Sequence, residues 1–263
     1  MTVLTNDSLL AVAERLGVQT LPVALAVAPE QDSYDEWTAA QRRAETDLVR
    51  AGIVDADGGV DPEIAAALLA LHRPDRELVA RIYTDREQVR VCLVRRGAGH
   101  ALAVRRGDTY EIRSIWADGS GHSLARPVLD ALGPCPPADV PAFSAPTQDI
   151  SERFDTATTS TDYAEAMYGL GAGERDAIVY GLALSSCHSY AEVVAYAGAD
   201  GVTGRSSGAV AVYDTAHGRL VAAPTLAPDQ RLWSTITPGS DHRIAQAVSA
   251  LIESLPGGRW MPQ

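Results

Sequence analysis

Gly208-Ala-Val-Ala-Val-Tyr-Asp214, the turn Thr215-Ala-His-Gly218 and the return Arg219-Leu-Val-Ala-Ala223 form the run that decides the fold. Both flanking pieces are small and β-branched, and the residues between them favour a turn, so they read as a hairpin. Pro224 to Gln230 is a loop, and Arg231-Leu-Trp-Ser-Thr-Ile-Thr237 runs out again to Pro238-Gly-Ser240. Beyond it, Ile244, Val248, Leu251, Ile252 and Leu255 recur at helical spacing. Ser207–Leu255 is thus strand, turn, strand, loop, strand, helix.

A weaker copy sits near the middle of the chain. Sliding the sequence by 120 residues sets Tyr110–Leu132 on Gln230–Ile252. Ser114, Gly119, Ser120, His122, Ala125 and Val128 then meet identical residues at Ser234, Gly239, Ser240, His242, Ala245 and Val248. Ile112, Trp116, Leu124 and Leu132 face Leu232, Ile236, Ile244 and Ile252. Unrelated segments of this length share about two identities. Val89–Val94 against Ala209–Asp214, and Glu77–Tyr83 against Ala191–Ala197, follow in the same order. The expected fold is α+β, with pseudo-two-fold duplicated halves around a central antiparallel sheet flanked by helices. Residues 1–263 read as one domain, with halves of about 1–134 and 140–263 joined by the Pro-rich stretch 133–141, which holds Gly133-Pro-Cys-Pro-Pro137.

The rest of the chain fits between these landmarks. Asn6 or Asp7 is placed to cap a helix over Ser8–Leu16, and Ser33 or Asp35 a polar helix over Glu36–Arg50. Pro22-Val-Ala-Leu-Ala-Val27 reads as a buried strand, and Asp61-Pro62 opens a short helix. Glu77–Tyr83, Gln88–Arg95, His100–Arg105 and Tyr110–Trp116 read as four hairpin-linked strands. Pro127 limits the helix that follows, which then begins near Arg126 or kinks there. The second half opens with a strand around Val140–Ser144 and helices near Gln148–Phe154, Asp162–Leu170 and Glu174–Ser186. Gly198-Ala-Asp-Gly-Val-Thr-Gly204 reads as a flexible hairpin.

Composition excludes several functions. A net charge of −12 disfavours nucleic acid and anionic lipid as partners. No apolar run reaches the ~20 residues of a membrane span, and Met1-Thr-Val-Leu-Thr-Asn-Asp7 lacks the features of a signal peptide. A cytoplasmic protein without membrane insertion is expected. All 22 basic residues are arginine. Cys92, Cys135 and Cys187 are far apart and without a CxxC pair, so neither a disulfide framework nor a metal site is expected.

Candidate chemistry is thin. His122 and His242 each follow a Gly-Ser step, but they occupy the same corner of the two copies, which points to local polar contacts. Ser185-Ser-Cys-His-Ser189 is the best nucleophile candidate, yet neighbouring residues such as Cys187 and His188 point apart. No nucleophile elbow, phosphate loop or H-E-x-x-H motif occurs. Arg90, Arg95, Arg96, Arg105 and Arg106 read as solvated strand ends, with contact to an acidic partner as the alternative. These residues describe a binding protein with no cofactor; a small cysteine-dependent enzyme using Cys187 and His188 is one alternative. A scaffold that self-associates through its sheet edges, as in a homodimer, is the other.

Ser207–Pro224, Trp233–Val248 and Leu255-Pro-Gly-Gly-Arg-Trp260 resemble the C-terminal region of the EspG family, the type VII (ESX) secretion-associated proteins of actinobacteria. The resemblance is specific over roughly the last 75 residues and looser over the whole chain. It implies a non-enzymatic cytosolic chaperone with a pseudo-two-fold α+β fold. Its partner would be a PE–PPE heterodimer, bound through the helical tip of the PPE subunit, kept soluble and delivered to one secretion system. The implied contact region includes Tyr163, Met167, Tyr190, Val194, Tyr196, Val202 and Arg205. The chain departs from the family where members often carry a long loop after the second strand; here Thr84-Asp-Arg-Glu87 is short.

Overall fold

β2 (Arg76–Thr84) and β7 (Cys187–Ala199) pair antiparallel at the middle of one sheet, with Ala80 opposite Val193. The computed structural model describes residues 2–199 and 202–262. Outward from β2 lie β3 (Gln88–Arg96), β4 (Gly99–Arg106), β5 (Thr109–Ile115) and β1 (Thr2–Thr5). Outward from β7 lie β9 (Val210–Thr215), β10 (Gly218–Leu226), β11 (Leu232–Pro238) and β6 (Phe143–Pro146). β8 (Val202–Arg205) pairs only the far end of β7, completing an 11-stranded antiparallel sheet. Asp200 and Gly201, the tip of the expected Gly198–Gly204 hairpin, lie outside the described residues.

Each half repeats one plan: a strand, three helices, a meander and a closing helix. The helices are α1 (Asn6–Arg15), α2 (Tyr34–Arg50), α3 (Pro62–His72) and α4 (Gly121–Leu132) in the first half. In the second they are α5 (Thr147–Phe154), α6 (Ser160–Gly169), α7 (Glu174–Ser185) and α8 (Asp241–Glu253). The β3–β4 hairpin closes on Arg96 and Gly99, and the β9–β10 hairpin on Thr215 and Gly218. Superposing these turns and following the registers inward lands Tyr83 on Tyr196, and Ala80 on its own partner Val193. A pseudo-two-fold axis therefore passes through the Ala80–Val193 pair. The sequence echo finds the right strands but slips by one residue in two of them and by four in the last, where Ile112, set against Leu232, takes the place of Ile236. Glu77 and Val89 lie on the opposite sheet faces from Ala191 and Ala209, their expected equivalents. A one-residue slip inverts every side chain, and runs of small apolar residues do not reveal it.

α4 and α8 meet over one face of the sheet. Leu124, Val128, Ile244, Val248 and Leu251 pack on Leu78, Ile82, Val91, Val193 and Val212, all nearly inaccessible. Each such side chain contributes on the order of 1.5–3 kcal/mol. Gly121 lets the helices touch, because a Cβ there would collide with the Ala245 carbonyl. The opposite face carries two separate cores, one beneath α1 and α3 and one beneath α5, α6 and α7.

Several expectations fail for local reasons. Pro22–Val27 is not a strand: Val23–Leu25 form a single 3-10 turn, and Ala26 sits in the left-handed region at φ 49°. Arg90 and Arg105 take its carbonyls, as described below. α4 begins at Gly121, capped by Ser120, and runs through Pro127. The ~3 kcal/mol cost of an interior proline is offset by burial of Leu124, Ala125, Pro127 and Val128. Thr5 caps α1 in place of Asn6, whose side chain instead donates to the Ala28 carbonyl at 2.8 Å. The His122 and His242 side chains are exposed and make no hydrogen bond among the described residues; Ser120 and Ser240, two residues before them, do the capping. β1 and β8 are too short and too polar to have been read from sequence.

The tails of α4 and α8 are held by the opposite halves. After α4, the Pro-rich stretch lies along β10, with Arg219 N–H donating to the Pro136 carbonyl and Ala138 N–H to the Arg219 carbonyl. Arg219, 1 % exposed, forks onto Asp214 at 2.5 and 2.7 Å and donates to the Gly133 carbonyl at 2.9 Å. After α8, Trp260 stacks on His100 of β4 and donates its indole N–H to His100 Nε2 at 2.9 Å. Arg219 and His100 stand at equivalent places in the two hairpins, so the two clasps are themselves related by the pseudo-axis.

Two outcomes follow from the clasps. Arg219→Ala or Asp214→Ala leaves a buried charge unpaired and lowers the unfolding free energy by about 3–5 kcal/mol, read from urea midpoints. His100 accepts from Trp260 only while Nε2 is unprotonated, and burial followed by Arg95 pushes its pKa below the usual 6.5. The unfolded chain therefore takes up the proton first as pH falls. Stability should drop as pH passes below 6.5, and His100→Gln should remove that component from urea titrations between pH 7 and 5.

Candidate functional site

Between the two cores, no helix among the described residues covers the middle of the sheet face opposite α4 and α8. Cross-strand neighbours there form rows. Tyr83, Tyr190 and Tyr213 stand side by side on β2, β7 and β9. Tyr83 stacks on Tyr190 at 6.1 Å, and Tyr190 lies 5.2 Å from Tyr213. Arg81 and Glu192 form the next row, then Val79 and Val194, then Glu77 and Tyr196. Aromatic rings beside charged groups are a composition suited to gripping another protein.

A cleft opens on each side of this floor. The first, about 380 Å3, lies between α3, the Val23–Leu25 turn and the sheet, and is lined by Pro22, Val23, Arg81, Glu77, Tyr196 and Thr203. The second, about 510 Å3, lies beneath α5 and α6 and is lined by Phe154, Tyr163, Cys187, Tyr190, Glu192 and Tyr213. Arg81 and Glu192 are opposite one another in the register, yet they line different clefts and form no ion pair. Neither side chain has a hydrogen-bond partner among the described residues. Burial pushes the Glu77 carboxyl up, partly offset by the Cys92 S–H donated to it at 3.5 Å. Burial, with Glu192 and Tyr83 adding to it, pushes the Tyr190 hydroxyl up to about 12.

The residues expected at the contact region divide. Tyr163 is half-buried, edge-on to Phe154 at 5.5 Å in the second cleft, where Tyr190 also lies. Tyr196 lines the first cleft, and β8 brings Arg205 opposite it. Val202, 71 % exposed, stands on the same short strand. Met167 is fully buried in the core beneath α6 and α7, and Val194 is 5 % exposed beside Val79. Met167 faces inward from α6, whereas Val194 lies on the floor's own face, between the Arg81–Glu192 and Glu77–Tyr196 rows, and is buried there. Tyr83, Tyr213, Arg81 and Glu192 were not anticipated as site residues. Period-two alternation with Glu77 and Val79 places Tyr83 and Arg81 on one face; which face is open depends on where the helices land.

The arginine cluster also turns inward. Arg90 donates to the Ala24 carbonyl at 3.0 Å, Arg105 to those of Leu25 and Ala26 at 2.9 and 2.7 Å, and Arg96 to that of Leu69 at 2.6 Å. Arg95 is buried against Asp75 at 3.2 Å. Only Arg106 of the five remains a solvated strand end, without a side-chain partner among the described residues.

Cys187 and His188 do not form a catalytic pair. A bulge separates Cys187 from Ser189, His188 is exposed, and Cys187 Sγ donates to the Ser189 carbonyl at 3.2 Å. Burial pushes the thiol pKa up, opposite to what nucleophilic activation requires. Among the described residues no group of three or more His, Cys, Asp or Glu side chains could hold a metal, and no helix is long and apolar enough to cross a membrane.

Known proteins share this architecture. The chain is 30% identical over 261 residues to the ESX-1 secretion-associated protein EspG1 of Mycobacterium tuberculosis, covering 98% of this chain and 88% of that protein. It is likewise 30% identical to the ESX-3 secretion-associated protein EspG3 of Mycolicibacterium smegmatis, covering 98% and 88%. The type VII secretion system chaperone EspG5 of Mycobacterium tuberculosis, solved in complex with a PE25–PPE41 dimer, superposes with a TM-score of 0.79. That match is 21% identical and covers 98% of each chain. The EspG family profile matches residues 5–250, and this chain belongs to the EspG family.

Proposed function

We propose that this chain is a cytoplasmic secretion chaperone acting as one EspG-like unit over residues 1–263. It holds the helical tip of the PPE subunit of a PE–PPE heterodimer, keeps it soluble and delivers it to an ESX secretion system. The observation that carries this reading is the open floor itself: a tyrosine row and a charged row between two helical layers. The same fold supports a PE25–PPE41 complex in EspG5. An exposed apolar helix tip aggregates unless covered, and a recessed aromatic floor with flanking clefts covers it without unfolding it. Tyr163, Tyr190 and Tyr196 supply contacts from the floor and cleft walls, and Val202 and Arg205 from β8, joined by Tyr83 and Tyr213.

The same reading assigns no catalytic step. Half-buried Cys187, with its raised thiol pKa and no base beside it, should react with iodoacetamide more slowly than free cysteine at pH 8. Labelling as fast as or faster than the free amino acid would restore the enzyme alternative. Co-expression with PE–PPE pairs encoded nearby should give a soluble ternary complex. The Tyr83→Ala, Tyr190→Ala double variant should weaken it at least tenfold, as expected for central aromatic contacts. Failure with every such pair sinks the proposal.

A further inference from the structure

One row of residues crosses four strands on the open face: Glu192, Arg81, Arg90 and Arg105, each directly opposite the next. Two of the arginines are already occupied. Arg90 and Arg105 donate to the carbonyls of Ala24, Leu25 and Ala26, which leave the end of the Val23–Leu25 helical turn unpaired. Arg105 also lies over the Tyr110 ring, 5.3 Å from its centroid, which holds the guanidinium in place. The chain thus uses this row to receive the carbonyl end of a helical turn laid on the sheet. Arg81 is the next arginine along, beside Pro22, Val23 and Ala24, and nothing occupies it.

We infer that Arg81 and Glu192 together read the polarity of the docked helix tip, a step that rests on the proposed chaperone reading. A helix leaves up to four carbonyls unpaired at its C-terminal end and four N–H groups at its N-terminal end, with a matching dipole. A tip at which one helix ends and another begins presents both sets close together. The first helix ends over Arg81, which donates to its carbonyls as Arg90 and Arg105 do for the Val23–Leu25 turn. The next helix begins over the second cleft, where Glu192 accepts from its free N–H groups. The lack of an ion pair between Arg81 and Glu192 keeps both available. Charge-assisted bonds of this kind are about twice as strong as neutral ones, and leaving either charge unmet under a docked partner is costly. An acidic or basic side chain on the partner is not required; the partner's backbone is the ligand.

The test measures affinity of the intact chain for a PE–PPE heterodimer encoded beside it, by calorimetry, for wild type, Arg81→Ala, Glu192→Gln and Arg106→Ala. Arg81→Ala should weaken binding ten- to hundredfold, the range of a charge-assisted hydrogen bond. Glu192→Gln should weaken it less, and Arg106→Ala should leave it unchanged. Arg81→Ala should also leave the thermal midpoint unchanged, because Arg81 makes no internal bond. In a structure of the complex, Arg81 should lie within hydrogen-bond distance of a carbonyl at a helix C-terminus. Wild-type affinity in Arg81→Ala overturns the inference and leaves the chaperone reading standing. So does an Arg81 facing a partner side chain or a reversed tip. If wild type binds no such pair, the chaperone reading and this inference fall together. A wild-type dimer, seen by light scattering, that Arg81→Ala dissociates would make the occupant a second copy and overturn it as well.

Discussion

Antiparallel pairing of β2 with β7 is the constraint on which everything else rests. It joins two meanders into one sheet, puts the pseudo-axis through Ala80 and Val193, and brings α4 and α8 together over one face. The same pairing leaves the middle of the other face without a helix of its own, because α1–α3 and α5–α7 each cover their own outer strands. The concavity is therefore a product of the repeat: two equivalent coverings placed outward leave a gap at the seam.

Much of this was legible in the sequence. The four-strand runs, the caps at Ser33, Asp61 and Ser240, and the echo of Ser120 and His122 in Ser240 and His242 declare the duplicated plan directly. Register was not legible. The second-half counterparts of Glu77–Tyr83 and Val89–Val94, above all Ala209-Val-Ala-Val212, are small and apolar on both faces, so sequence does not separate one phase from the next, and only the closing pairs of the hairpins settle it. Pro22–Val27 reads as a strand because Ala and Val are compatible with several conformations; the arginines of β3 and β4 select the turn from a distance. The site was half legible for the same reason. Tyr190 and Tyr196 stand out as aromatics in a strand, whereas Met167 and Val194, which carry the same apolar signal, are buried.

The clasps add a second link between the halves. Each closing helix is anchored by a hairpin of the other half, through Arg219 and Asp214 on one side and His100 on the other. One duplicated position has taken an ion pair and the other a neutral imidazole–indole contact. The repeat supplied the geometry and divergence two chemistries: a buried charge pair that fails when either partner is removed, and a contact that fails when the imidazole is protonated.

Symmetry has a cost in recognition that this floor avoids. A binding surface with a true two-fold axis offers identical contacts to a ligand rotated by half a turn, so it cannot distinguish two poses. Here the axis carries Tyr83 onto Tyr196 but sets the charged row of Arg81 and Glu192 against the apolar row of Val79 and Val194. β8 lies on one side only, since its counterpart is the four-residue turn Thr84–Glu87. A scaffold built by copying has thus become a surface with a single handed fit, and the departures from the repeat, rather than the repeat itself, carry the information.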